Sequence, residues 1–183
     1  MNVRPFSRLY LRRLKILKTP RVEVLFGVIG LGLICSAPFV SPTPMLVWNA
    51  SASAPIGLYR VVSGAPKRGD LVLVQTPKSV AKLAAERGYL PLNVPLVKHV
   101  AALSGNEVCA FHEAIFVEGK VAAKRSKADK AGRPLLWWND CRELRVGEFF
   151  LLTDDRSDSF DSRYFGPVSG ANLIGRLVPL WTD

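Results

Sequence analysis

Sixteen consecutive residues, Leu25–Val40, carry no charge, and seven basic residues (Arg4, Arg8, Arg12, Arg13, Lys15, Lys18, Arg21) precede the first acid, Glu23. A spanning helix needs about 20 apolar residues, with a lower limit of about 17. Val24 and the weakly polar residues after Val40 extend the run slightly, and Pro38 is placed to end a helix. By the positive-inside rule the basic flank stays in the cytosol and everything after the run lies outside it. Two other readings stay open. One is a cleavable export signal, with Cys35-Ser36-Ala37 as its small-residue exit. The other is a buried core helix, against which stand the charged flank and the interruptions at Gly27, Gly30, Gly32 and Ser36. The anchor reading divides the chain into a basic cytosolic flank (1–23), a membrane anchor (24–40) and an outer domain (41–183). A net charge of +10 invites a nucleic-acid reading. Beyond Arg21, however, 18 basic residues face 15 acidic ones, leaving only +3, so no nucleic-acid partner is expected.

Beyond the anchor the pattern is one of short apolar runs divided by Gly and Pro. Strands are expected at 58–62, 70–75, 95–103, 107–109, 114–118, 149–152 and 172–180, and a further candidate at 134–139 contains Trp137-Trp138. Residues 41–48 read either as an interfacial stretch with Trp48 at headgroup level or as an early strand. The single clear helix is 79–87, with Thr76 as N-cap, Pro77 at its first position and Gly88 at its end. Many strands, turn-rich connections and one short helix predict a mostly β domain; a parallel α/β fold would need more helices.

Three stretches carry candidate chemistry. In Asn49–Tyr59, N-A-S-A-S-A-P-I-G-L-Y, the hydroxyls of Ser51 and Ser53 lie two apart in a segment expected to be extended or turning. Side chains at that spacing share one side, which suits either a nucleophile with an oxyanion donor or a serine-rich hinge. Lys98 lies within the apolar strand Leu96-Val97-Lys98-His99-Val100. Burial disfavours its charged form, and a neutral lysine can deprotonate a serine; the alternative is a lysine that protects a sheet edge. Asp154–Arg163 crowds carboxylates and arginines together without the ligand pattern of a calcium loop, and reads as a bracing network or as a polar turn. Cys109 and Cys141 are the two cysteines of the outer domain, and outside the cytosol they are a candidate disulfide, the alternative being two unrelated buried thiols. With two histidines, His99 and His112, and no CxxC, no metal site is expected. The run Lys120, Lys124, Arg125, Lys127, Lys130, Arg133 reads as a solvated surface loop.

Taken together these stretches resemble the serine–lysine signal peptidases, in particular the TraF-type branch that processes pilin precursors in conjugative transfer. The resemblance runs over about residues 49–180 in the family's order. It comprises Asn49-x-Ser51-x-Ser53-x-Pro55-x-Gly57-Leu58-Tyr59, then Pro66-Lys-Arg-Gly-Asp70-Leu-Val, the lysine box Leu96–Val108, and the final box Asp154–Gly166 followed by Ala171–Arg176. It implies a signal-peptidase-like catalytic β domain with Ser53 as nucleophile and Lys98 as general base. It also implies Ser51 and the Ser53 N–H at the oxyanion, Ser159 orienting the lysine, and Asp161 with Arg163 as a bracing pair. No cofactor or metal is implied. A Cys109–Cys141 bridge is similar to a feature of the conjugative branch.

The general signal peptidases differ at several positions. Here Ala54 follows the nucleophile, His99 follows the lysine, Ala102-Leu-Ser-Gly-Asn106 replaces Gly-x-Pro-Gly-Asp, and Thr153-Asp-Asp-Arg156 replaces Gly-Asp-Asn-Arg. These departures favour a specialised enzyme. The expected function is a single-pass serine endopeptidase of a bacterial inner membrane, its catalytic domain in the periplasm. It would cleave an exported pilin-like precursor for the conjugative transfer machinery, by hydrolysis or with cyclisation. The alternative is a non-enzymatic anchored scaffold of a transfer or secretion complex.

Overall fold

The computed structural model describes residues 20–36, 44–153, 157 and 159–183. The basic flank to residue 19, residues 37–43 (which include the end of the expected anchor) and positions 154–156 and 158 of the Asp154–Arg163 segment lie outside them. The chain divides into two units, Met1–Pro42 and Thr43–Asp183.

In the first unit, α1 covers Pro20–Ser36. It begins four residues before the expected anchor, because the polar first turn can be solvated at a helix N-terminus. No described helix is long and apolar enough to cross a membrane. At 17 residues, α1 measures about 25 Å against a hydrocarbon core of about 30 Å.

The second unit is mostly β, with strands β1 (Leu46–Asn49), β2 (Gly57–Val62), β3 (Leu71–Val74), β4 (Leu96–Leu103), β5 (Glu107–Phe111), β6 (Ala114–Val117), β7 (Lys120–Lys124), β8 (Cys141–Glu143), β9 (Glu148–Leu152), β10 (Val168–Ser169) and β11 (Leu173–Thr182). Two α-helices, α2 (Lys78–Glu86) and α3 (Ser162–Phe165), and a 3-10 turn at Gly170–Asn172 interrupt them. One sheet has the order β1-β2-β11-β3-β4-β9-β10 and the other β7-β6-β5-β8. All pairings are antiparallel.

The period-2 alternation of the strands sorts their side chains between separate cores. On β9, Phe150 and Leu152 pack with Val108, Ile115 and Val117, while Leu151 between them packs with Val72, Val74 and Val100. On β4, Val100 and Ala102 share a parity yet enter different cores, because the pairing with β9 shifts register between them. The run Leu71-Val-Leu-Val74 has no polar alternation because β3 lies inside the large sheet, with Val72 and Val74 in one core and Leu73 in another.

Several expectations change. Within the 41–48 stretch, Leu46–Trp48 belong to the strand β1, as the second of its two readings has it. The 134–139 stretch is irregular, apart from a single bridge between Ala128 and Pro134. The capping of α2 also differs: Pro77 is its N-cap residue and supplies no side-chain cap, while the Thr76 hydroxyl donates instead to the Val94 carbonyl at 3.4 Å. The α3 turn was not anticipated; it is nucleated by Asp161, whose carboxylate accepts from the Arg163 N–H as N-cap. Gly57 is required by position. It pairs with Thr182 at φ +156°, and a Cβ there would lie 2.1 Å from the Trp181 carbonyl oxygen.

Candidate active site

The two serines lie in a tight turn between β1 and β2, not in extended backbone. They still meet, with their Oγ atoms 3.0 Å apart. The residue that shapes the turn is Asn49, buried at the end of β1. Its Nδ2 donates to the carbonyls of Ser51, Ala54 and Pro55 (2.9, 3.0 and 3.1 Å), and its Oδ1 accepts from the Ser51 N–H (3.1 Å) and the Ser51 hydroxyl (2.8 Å). The buried Tyr59 adds a second tie, its hydroxyl donating to the Pro55 carbonyl at 2.7 Å. Ser51 has one proton and gives it to Asn49, so in the contact between the two serines Ser53 is the donor.

Lys98 belongs to β4, where it faces Val72 of β3 and is 3% exposed. That rules out the solvent-facing edge position. A buried ammonium or amine requires partners. Its Nζ donates to Thr153 Oγ1 at 2.8 Å and to Ser159 Oγ at 2.5 Å. The two hydroxyls are themselves 2.8 Å apart, closing a triangle.

The support behind this triangle is the Asp161–Arg163 pair, at 0% and 1% exposure. Arg163 Nε and one terminal nitrogen reach the two Asp161 oxygens at 2.8 and 2.6 Å, a bidentate fork. Asp161 Oδ2 also accepts the Thr153 N–H (3.0 Å), and Arg163 donates to the Lys124 carbonyl (3.0 Å). The bracing is therefore aimed as much at Thr153 as at the Ser159 segment.

Ser51, Ser53, Lys98 and Ser159 converge on one cleft of about 960 Å³, whose apolar walls include Leu96 and Phe160. A smaller recess of about 170 Å³ opens at Ser51, Ala52, Ser53 and Ser159. One wall of the cleft is clasped by Asp129. Its carboxylate accepts from the Tyr89 hydroxyl (2.5 Å) and from Arg133 Nε (2.7 Å). The Tyr89 hydrogen bond, then those from Arg133 and the Ala131 N–H, hold the carboxyl well below the usual range, against the opposing effect of burial.

The expected solvated basic loop is thus only partly that. Arg125 is buried, stacks on Trp137 at 4.3 Å and donates to the carbonyls of His112 and Trp138. Asp161 and Arg163 stand behind the cleft and do not line it. Cys109 and Cys141 face each other across β5 and β8, joined by a disulfide, and line no part of it. Among the described residues one cluster has metal-ligand spacing, Glu107 with these two cysteines, and the disulfide occupies both sulfurs.

Asn49 and Thr153 are the residues whose parts sequence reasoning missed. Asn49 was visible as the head of the serine motif. Thr153 becomes visible once His99 is paired with Leu152, because one more step of that antiparallel register sets Thr153 opposite Lys98.

The family profile described as "Signal peptidase, peptidase S26" matches residues 19–181. The chain is 33% identical over 144 residues to the "Plasmid transfer protein TraF" of Escherichia coli, covering 73% of this chain and 81% of that one. It is 32% identical over 145 residues to the "Conjugal transfer protein TraF" of Agrobacterium fabrum, with the same coverage of both chains. Over 90 residues it is 30% identical to the "Signal peptidase I V" of Bacillus subtilis, covering 44% of this chain and 54% of that one.

Proposed function

This chain belongs to the peptidase S26 signal peptidase family, and we propose that it is a membrane-anchored serine endopeptidase. Its substrate is an exported, pilin-like precursor, and its partners are the inner membrane and the conjugative transfer machinery. The observation that carries this reading is the buried Lys98, held by two hydroxyls and lining the same cleft as Ser53.

Ser53 Oγ attacks the scissile carbonyl while neutral Lys98 Nζ takes its proton and passes it to the leaving amine. Loss of water from around the amine penalises its charged form, which favours a base. In the resting arrangement the Ser53 proton points to Ser51, so reaction begins with a rotation of that hydroxyl toward the lysine. Ser51 likewise turns its proton from Asn49 to the oxyanion, beside the Ser53 N–H. Water then releases the acyl-enzyme, or the precursor's own amino terminus does so and gives a circular product. Helix α1, which beyond its polar first turn exposes Val24, Leu25, Phe26 and Val28, anchors the protein with the catalytic unit in the periplasm.

The test uses the full chain in detergent and a membrane-bound pilin-like precursor, comparing wild type with Ser53→Ala by mass spectrometry. Cleavage by wild type alone is expected, and a product one water lighter than the linear peptide indicates cyclisation. Equal cleavage by both proteins overturns the assignment. No cleavage of any precursor from the same genetic neighbourhood favours a non-enzymatic scaffold.

A further inference from the structure

We propose that Thr153 is a second positioning residue for Lys98, equal in rank to Ser159, and that its hydroxyl fixes the direction in which the lysine presents its lone pair. The inference rests on the peptidase reading for its consequence in catalysis, but not for its geometry.

A neutral amine has two hydrogens and one lone pair. Thr153 Oγ1 at 2.8 Å and Ser159 Oγ at 2.5 Å accept two N–H bonds from Nζ. With both hydrogens directed at these hydroxyls, tetrahedral geometry leaves the lone pair one direction. Without the Thr153 acceptor one of those hydrogens loses its fixed direction, and the direction of the lone pair is set less closely. The Thr153 hydroxyl is well suited to the task. Its residue is buried, directly across from Lys98 in the continued β4–β9 register. Its N–H is bound by Asp161 and its carbonyl accepts from Arg163 at 3.4 Å. Ser159, by contrast, is only half-buried and stands well past the end of β9, which Thr153 follows directly. Thr153 is therefore the stiffer of the two acceptors, and the Asp161–Arg163 pair transmits its rigidity to the lysine through Thr153.

The experiment compares Thr153→Val, which keeps the shape and removes the hydroxyl, with Thr153→Ser, which keeps the hydroxyl. Two readouts are used. The first is the protonation midpoint of Lys98 in the full-length, carbon-13 lysine-labelled protein, its signal assigned with Lys98→Met. A hydroxyl acceptor stabilises the ammonium more than the amine, so Thr153→Val should move the midpoint to lower pH and Thr153→Ser should leave it in place. The second is precursor cleavage. Thr153→Val should lower kcat about 10- to 100-fold with KM within about twofold, and shift the acid limb of the pH profile the same way. Thr153→Ser should stay within about threefold of wild type. If Thr153→Val does not fold, Thr153→Ala is read in its place. An unchanged midpoint in the hydroxyl-free variant overturns the proposal, as does a Thr153→Ser variant impaired as much as Thr153→Val. Absence of cleavage by wild type would sink the peptidase reading alone, because the titration still decides whether Thr153 holds the lysine.

Discussion

Replacing Arg163 with methionine tests whether the ion pair behind the cleft organises the site. The guanidinium is 1% exposed and the Asp161 carboxylate has no exposure. Arg163→Met therefore leaves a charge with no access to water, which among the described residues keeps the N–H donors of Thr153 and of residue 163. Removing one partner of a buried pair costs about 3–5 kcal/mol. For a domain of about 150 residues that corresponds to a fall in Tm of roughly 10–20 °C. Replacing both partners with apolar groups removes the orphaned charge, so Asp161→Leu with Arg163→Met should be more stable than Arg163→Met alone, with a coupling of about 1–3 kcal/mol. Urea unfolding of the full chain in detergent, followed by tryptophan fluorescence, measures this. Trp138 is a local reporter, because its N–H donates to the Arg163 carbonyl at 3.2 Å. Activity should fall in both variants even where they are fully folded, because Thr153 loses the Asp161 acceptor or its orientation. An Arg163→Met protein within about 1 kcal/mol of wild type, or a double variant whose losses simply add, would refute the reasoning.

Lys98→Met should abolish cleavage without lowering the unfolding midpoint, since an apolar chain of similar length replaces a desolvated amine; cleavage near the wild-type rate would exclude Lys98 as base. Ser51→Ala should reduce kcat roughly 10- to 1000-fold, as expected for loss of one oxyanion donor, and should also loosen the serine turn, which can be read separately from the melting curve. Asp129 makes a pH-dependent contribution to stability. Its carboxyl is held down by Tyr89 and Arg133 in the fold, so its contribution is present above the unfolded value of about 4 and is lost as pH falls further. The stability gap between wild type and Asp129→Asn should therefore hold from pH 7 down to about 4 and close in stronger acid; urea unfolding across that range reads it, and a gap that widens on acidification would contradict the sign.

The fold was legible wherever a residue's neighbours in sequence decide its environment. The partial alternation in Leu96–Leu103 and the short apolar run Phe149–Leu152 mark strands because one face or both must be buried. Val80, Leu83 and Ala84 mark α2 because they share one helical face. Legibility failed where partners come from far along the chain. Arg125 sits in a run of basic residues that looks solvated, but its guanidinium is fixed by carbonyls of His112 and Trp138 and by the ring of Trp137. Trp137-Trp138 has strand-like composition, yet Trp138 lies against Gly166, where a Cβ would come 2.5 Å from its ring. That contact takes the segment out of any ladder.

The candidate site divides along the same line. Lys98 stood out because a charge amid apolar strand residues is anomalous at short range, and Ser51 and Ser53 because their spacing is local. Thr153 and Asn49 did not, because their parts depend on register and turn closure. This division has a physical basis. A nucleophile on a turn and a base on a strand can keep a fixed relation only if each is over-determined separately, and every freely rotating bond left between them would cost conformational entropy on reaching the reactive arrangement. Asn49 meets that need for the serines with hydrogen bonds from both ends of one side chain. Thr153, Ser159 and the ion pair behind them meet it for the lysine. The chemistry rests on residues that stand out in sequence, and its geometry on residues that the fold alone brings together.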